Sequence, residues 1–463
     1  MKSFLALSSS LCLAVSALAQ EFNTASYAAG DVIKRDVAII GGGATGTYAA
    51  INLRDAGKSV VMIERKGELG GHTATYHDPK TGKPVNYGLQ VYYDMPVARQ
   101  FFKRLNINVK KAGFSEGSST YIDFRDGSVV NNYTIPPLND DYTRELHKYP
   151  YLEDGIHLPD PVPEDLLLTW SAYMKKFKIT DDAFATYSRP AVAGDLTKTL
   201  ALYVFNNLNT AMLQEQKGAT IVNVDGDNAE LYRKALKELG ADVLLNSTVA
   251  HGQRGTSTAD GVQLNVTTPH GHKLIVAKQL IVALPPVLDN LNPLGLDARE
   301  SGVWSQFAGG DFYTGVVQNT GLPGGGRNYA NRGSNTESHV AALPGDLMFN
   351  ASPADGVFYY WYSALKPLTQ AQVESATRDT LKRLQKIVPG AKVAEPQFVA
   401  YNSHAPLHPV ASADAIRKGV YRDMYKLQGY RNTWYTGSLT VTGSPQLWNN
   451  TAQLLPGIIK AAK

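Results

Sequence analysis

The run Gly41-Gly42-Gly43-Ala44-Thr45-Gly46, set between two short apolar segments, constrains this chain more than any other feature. Ahead of it, Asp36-Val37-Ala38-Ile39-Ile40 reads as a strand, since consecutive β-branched residues suit a strand covered on both faces. Behind it, an Ala-rich helical pattern closes at Ala56-Gly57, with Gly57 as its C-terminal cap. Ser59 to Ile63 then forms a second strand that delivers Glu64, 18 residues past Gly46. Strand, glycine turn, helix, strand and acid make a complete βαβ unit. There Gly41 permits the tight turn, Gly43 lets backbone approach a pyrophosphate, and Gly46 lets helix and strand pack closely. The helix start offers unpaired N–H groups and partial positive charge to the phosphates, and Glu64 accepts the ribose hydroxyls. An isolated G-x-G-x-x-G carries little weight, but here every part is in register.

The continuation points to one dinucleotide. After Glu64 the chain runs to a second glycine pair, Leu69-Gly70-Gly71-His72, and Gly88-Leu89-Gln90 repeats the idea. Such backbone can lie beside phosphates and a planar ring, where a plain nicotinamide enzyme would enter another helix. FAD is favoured over NAD.

With 463 residues, 43% hydrophobic and 19% charged, the chain suits a soluble protein of two or three domains. Lys and Arg number 45 against 41 Asp and Glu, without a basic tail, which argues against nucleic acid as a partner. Residues 1–19 read as an export signal: Lys2, an apolar stretch from Phe4 to Val15, and the small-x-small site Ala17-Leu18-Ala19. That stretch is too short to span a bilayer comfortably, so no stable membrane span is expected after its removal. The mature chain is then secreted or held in the secretory lumen. The single cysteine, Cys12, lies in this leader, which removes disulfides, cysteine nucleophiles and thiolate metal sites. Asn132, Asn246, Asn265 and Asn350 begin N-x-S/T triplets and are the glycan candidates. His270-Gly271-His272 reads as a hairpin tip, and no metal site is expected.

The order of patterns divides the chain. Residues 33–95 form the first part of an FAD-binding domain and 96–214 a helical first part of a substrate domain. Residues 215–300 return to the FAD-binding domain, 301–428 supply an antiparallel second substrate part, and 429–463 close the FAD domain. Gly321 to Ser334 reads as a flexible loop, and Pro163 opens a helix carrying Leu166, Leu167, Trp170, Tyr173, Met174 and Phe177. The predicted fold is α/β: a Rossmann-like FAD-binding domain interleaved with an α+β substrate domain.

The glycine turn, Glu64, Leu69-Gly70-Gly71, the strand Ile281 to Pro286 and the strand Trp434 to Gly437 resemble the flavin-containing amine oxidoreductase superfamily. Within it the chain is most similar to the fungal beta-cyclopiazonate dehydrogenase family of FAD-dependent oxidoreductases. The resemblance implies the two-domain flavin amine oxidase-like fold and hydride removal from a substrate C–H, with FAD held non-covalently or through a histidine. It implies substrates such as indole tetramic acids and diterpenoid pyrones, where oxidation sets up ring closure. By position, it places Gly71 and His72 near the phosphates or flavin, Val249 at adenine, and Ser438 and Leu439 by the pyrophosphate. The superfamily has Arg where this chain has His72, which puts an Arg contact in doubt and leaves a histidyl flavin open.

Trp448-Asn449-Asn450-Thr451 reads as the start of a C-terminal helix, whose N–H groups would stabilise negative charge on reduced flavin. Asn449 would be buried there and free of glycan. Gln90, Tyr92, Tyr360 and Trp361 are the substrate-side candidates, the aromatics serving equally well as core. His404, in Tyr401-Asn402-Ser403-His404-Ala405-Pro406-Leu407-His408, is the candidate base, with His408 behind it. The leading expectation is an FAD-dependent oxidoreductase of fungal secondary metabolism, acting on a bulky, apolar small molecule at an allylic or heteroatom-adjacent C–H, with O2 as electron acceptor. The alternatives are a secreted flavin amine or prenyl-thioether oxidase, and a non-catalytic lipid or prenyl carrier of the same fold.

Overall fold

A computed structural model describes residues 22–463 except 113–118, 189–194, 196–197, 256 and 258–259. The expected leader and Cys12 lie outside the described residues. The first sheet has seven strands. Val243–Leu244, Val60–Ile63, Val32–Ile40, Gly271–Val282 and Thr433–Tyr435 run parallel to their neighbours, and the antiparallel strands Val262–Thr268 and Thr248–Arg254 extend one side. Ile40 pairs with both Ile63 and Val282, and Val282 with Tyr435. The parallel strands therefore end level, and the next residues, Gly41, Glu64, Ala283 and Thr436, share one edge. In open α/β sheets that edge is where ligands bind.

Helix Ala44–Asp55 covers one face, burying Ala49, Ala50, Ile51 and Leu53. It stops at Ala56, and Gly57 follows at φ +75°. Helix Ser444–Ala461 packs beside it, and the indole of Trp448 donates to the carbonyl of Ala44 at 3.1 Å. This helix begins five residues before the predicted Asn449. Pro445 sits in its first turn, where a missing N–H costs nothing.

The second sheet has eight strands, ordered Gln397–Ser403, Phe307–Gln318, Val357–Ala364, Gly345–Ala351, Asn328–Asn331, Ser119–Ile122 and Val129–Val130, with Leu407–Ala411 pairing Phe307–Gln318. Two expectations are corrected here. The stretch read as a flexible loop contributes the strand Asn328–Asn331, which pairs parallel with Ser119–Ile122; the nominally helical region contributes Ser119–Ile122 and Val129–Val130, which pair antiparallel. A third correction concerns Pro163: a 3-10 turn at Glu164–Leu167 is followed by a separate helix, Trp170–Phe177, because Thr169 caps the amide of Ala172. Helix Gln370–Ile387 packs on the second sheet, its Val373, Leu381 and Leu384 meeting Tyr360 and Tyr362 in one apolar cluster.

Beneath the last parallel strand lies a fully buried ion pair. Glu300 accepts from Arg254 at 2.6 and 2.8 Å, from Arg431 at 2.9 Å and from the hydroxyl of Tyr435 at 2.9 Å. Removing one partner strands the other charges. Glu300→Ala is expected to destabilise the holoprotein by about 3–5 kcal/mol in urea unfolding, whereas Glu300→Ala combined with Arg254→Met recovers part of that loss.

Candidate active site

A cavity of about 490 Å³ opens at the carboxyl edge of the parallel sheet and is closed on its other side by the second sheet. Its first wall is the glycine turn. Helix Ala44–Asp55 begins at Gly43 with no side-chain cap, so its first amides are available to an anion. Gly46 does not line the cavity. A Cβ there would meet the carbonyl oxygen of Gly41 at 1.9 Å, so its role is the close approach of helix to strand. Gly71, at φ +59°, also has no room for a Cβ, which would lie 2.9 Å from the Cα of Gly43. The two glycine motifs thus touch, and their backbones form one continuous cradle.

Glu64 lines the cavity and is itself held in place. Its Oε2 accepts from the amide of Gly42 at 2.6 Å and its Oε1 from the amide of Lys66 at 2.8 Å. Two bonds on the inner lone pairs leave the outer ones for ribose hydroxyls. Val249 and Ser438 also line the cavity, as does the start of helix Ser444–Ala461 through Thr442, Ser444 and Leu447.

The second wall brings Phe312, Trp361, His404 and His408 from the antiparallel sheet. The amide of His404 donates to the carbonyl of Phe312 at 2.8 Å, tying it to the central strand. The His404 ring stacks on His72 with centroids 4.1 Å apart and planes 16° from parallel, and Phe312 lies 5.8 Å away. Burial, followed by a neighbouring imidazole (His408 for His72, His72 for His404) and then Lys66, pushes His72 down to about 3 and His404 well below the usual imidazole range. Burial alone brings His408 down to about 4, against a 3.4 Å contact from its Nδ1 to the carbonyl of Ser438. All three imidazoles are neutral at physiological pH.

Lys66, missed by the sequence reading, crosses the seam between the two sheets. Its Nζ donates to the carbonyl of Gly71 at 3.2 Å and to Asn402 Oδ1 at 2.5 Å, while Asn402 Nδ2 donates to the same carbonyl at 3.1 Å. Burial lowers the Lys66 pKa. The signal was its place between the ribose acid and the second glycine pair. Phe312 was also missed.

Several expected site residues lie elsewhere. Gln90 turns back to the carbonyls of Asn86 and Gly88. Tyr92 is wholly buried, its ring 4.9 Å from Phe102 and 5.6 Å from Trp448. Tyr360 is wholly buried against Phe398 on the sheet face turned from the cavity. Leu439 packs into the core, and Asn449, half-buried in the second turn of its helix, does not line the cavity. Of the glycan candidates, Asn132 and Asn246 are exposed. Asn265 is 5% exposed, with Tyr27 and His272 on its amide, and Asn350 is 7% exposed, so neither is open to a glycan. Among the described residues no cluster of three His, Cys, Asp or Glu side chains is arranged to hold a metal ion.

The donor set fits a flavin dinucleotide. An oriented carboxylate, a glycine cradle at a free helix start and a second helix start follow one another along the cavity, and His404 Nε2 is buried without a partner. Fold and site together define a two-domain flavin-dependent oxidoreductase.

Comparison with known proteins agrees. Residues 39–105 match the family model described as an NAD(P)-binding Rossmann-like domain. The chain is 51% identical to FAD-dependent oxidoreductase dbaF of Emericella nidulans, over 100% of this chain and 99% of that protein. It is 37% identical to FAD-dependent oxidoreductase pigF of Monascus ruber (97% of each chain) and 32% identical to beta-cyclopiazonate dehydrogenase of Aspergillus oryzae (92% and 93%). Among solved structures, the conjugated-linoleic-acid (CLA)-producing fatty acid isomerase from P. acnes superposes with a TM-score of 0.68 at 16% identity, covering 91% of this chain and 98% of that one. A putrescine oxidase variant superposes with a TM-score of 0.66 at 18% identity, covering 93% and 99%. The chain belongs to the family of FAD-dependent oxidoreductases that includes beta-cyclopiazonate dehydrogenase, and FAD is its cofactor. When bound, FAD supplies a two-electron acceptor.

Glu64→Gln keeps the shape but turns an amide N–H toward one of the two backbone donors. It is expected to raise the Kd for FAD about tenfold, or about 1.4 kcal/mol, measured by fluorescence titration of apoprotein.

Proposed function

We propose that this enzyme oxidises a neutral, bulky, largely apolar small molecule of fungal secondary metabolism, taking hydride from an allylic or heteroatom-adjacent carbon. The observation that carries this is the charge of the cavity wall. Its acidic lining residues are Glu64 and Asp289, both from the dinucleotide-binding unit, while the second sheet contributes Phe312, Trp361 and imidazoles. An alkylammonium substrate needs a carboxylate or an electron-rich cage to repay its desolvation. Lys66 and the aromatic–imidazole wall favour an uncharged or anionic, flat molecule instead. Indole tetramic acids and diterpenoid pyrones fit that description. The oxidised product is electron-poor at the attacked carbon, and an internal nucleophile then closes a ring.

His404 is the group for the accompanying O–H or N–H proton. It is neutral, buried and unpartnered at Nε2, and it sits beside Phe312 in the wall that meets the substrate. Trp361, half-buried and 6.1 Å from Phe312, forms the adjoining surface. Dioxygen is the proposed electron acceptor. Among the described residues no helix is long and apolar enough to cross a membrane. We place the mature enzyme in the secretory route on the strength of its leader. The intact FAD cradle speaks against a non-catalytic carrier, and the lack of a carboxylate among the described residues of the second-sheet wall speaks against an amine oxidase.

Anaerobic mixing of oxidised holoenzyme with an indole tetramic acid or a diterpenoid pyrone is expected to bleach the flavin band. Primary amines should leave it unchanged, and bleaching by amines alone would overturn the reading. Trp361→Ala is expected to raise KM about tenfold with a smaller change in kcat, as for loss of a binding surface shared by ground and transition states.

A further inference from the structure

We propose that His72 and His404 form a one-proton store: when the flavin is reduced the pair takes up a single proton on His404, and it gives that proton back on reoxidation. This rests on the redox reading above, and its test is chosen to be independent of any substrate.

The geometry carries the argument. One ring comes from the loop after Gly70-Gly71 in the dinucleotide-binding unit, the other from the link between two strands of the second sheet, and they meet face to face at 4.1 Å. Two imidazoles in this arrangement cannot both carry charge, so their titrations are coupled and the pair holds one proton. His404 Nε2 is buried with no hydrogen-bond partner among the described residues, although buried polar atoms are nearly always satisfied. That nitrogen lines the cavity and is free to exchange a proton with a molecule bound there. His72 and His408 also line the cavity, so the store faces the space that would hold the cofactor.

The groups that act on the pair directly work in one direction. Burial, the other imidazole of the pair, Lys66 and His408 all disfavour charge on His404, and Arg65 adds to the same effect on His72. Glu64 and Glu68 act on Lys66 and so soften its field. A bound flavin that received two electrons and one proton as hydride would carry a negative charge, and a nearby anion favours the charged imidazole. The sum balances. The substrate C–H breaks with its electron pair going to the flavin, its O–H or N–H proton goes to His404, and the product gains one unsaturation. On reoxidation O2 accepts two electrons, and the His404 proton together with the flavin-borne hydrogen completes H2O2. His404 lines the cavity where the reacting groups would lie; His72 is a positioning residue that keeps the store to single occupancy.

The test is the midpoint potential of the holoenzyme against pH, by spectroelectrochemistry without substrate. A two-electron couple that binds one proton falls by about 30 mV per pH unit and one that binds two by about 59 mV. The wild type is expected to follow the steeper line across neutral pH, and His404→Gln the shallower one. Equal slopes overturn the proposal. In His72→Gln the lower bend of the steep region should move to higher pH, because the oxidised protein then protonates His404 more readily; an unmoved bend removes His72 from the store. Should His404→Gln fail to retain FAD, the native holoenzyme labelled with 15N-histidine decides. One imidazole is expected to gain the imidazolium signature on reduction near pH 7.5, and an unchanged histidine spectrum overturns the assignment. Failure of the earlier substrate assay with a steep slope intact would refute the substrate reading and leave the proton store standing.

Discussion

The level ending of the parallel strands is the constraint on which the rest depends. Because Ile40 is in register with both Ile63 and Val282, the glycine turn, the ribose acid and the turn after Val282 arrive at one edge. A one-residue slip between Val32–Ile40 and Val60–Ile63 would send each side chain of one strand to the opposite sheet face, into the wrong core, and withdraw Glu64 from the amide of Gly42. The core of Val37, Ala38, Ile39, Val60, Val61 and Met62, each 1% exposed or less, forbids that slip. Apolar burial thus fixes a polar geometry: the carboxylate is placed by residues that never touch a ligand.

The second sheet depends on this edge in turn, because it has to close over the cradle. The seam is polar where it could have been greasy. Lys66 and Asn402 both bond the carbonyl of Gly71, so a residue of each unit grips the same peptide beside His72. A purely apolar seam would slide; directional bonds to one carbonyl fix the two walls relative to each other. The cost is a half-buried ammonium facing neutral oxygens. Its field falls on the cavity, where it suits an anion and opposes protonation of nearby imidazoles.

What could be read in the sequence was what is local. The glycine turn, its strands and Glu64 lie within about thirty residues and announce themselves by spacing. The face of a strand is a different matter. In Tyr359-Tyr360-Trp361-Tyr362, alternation says that Trp361 and Tyr360 point opposite ways but not which way is the cavity. Helix Gln370–Ile387 settles it by covering Tyr360 and Tyr362, a tertiary fact. Asn265 and Asn350 fail as glycan sites for a similar reason, since a triplet does not show that its strand is buried. Two signals were legible and missed: Pro445 marks the helix start, and Asp126-Gly127 marks the turn between strands Ser119–Ile122 and Val129–Val130.

The contrast between the two walls explains how a shared fold can serve different chemistry. The dinucleotide side is shaped by the glycine turn, Glu64 and the second glycine pair. Among the described residues the other wall holds no carboxylate while carrying imidazoles that burial keeps neutral. A neutral base beside an aromatic surface can accept a proton from a weakly acidic O–H or N–H without first repelling or neutralising its owner. On the function proposed above, an amine and a neutral, acidic heterocycle are told apart by the charge of the wall: Lys66 lends it a positive field, and Phe312 and His404, joined by one backbone hydrogen bond, add no negative charge.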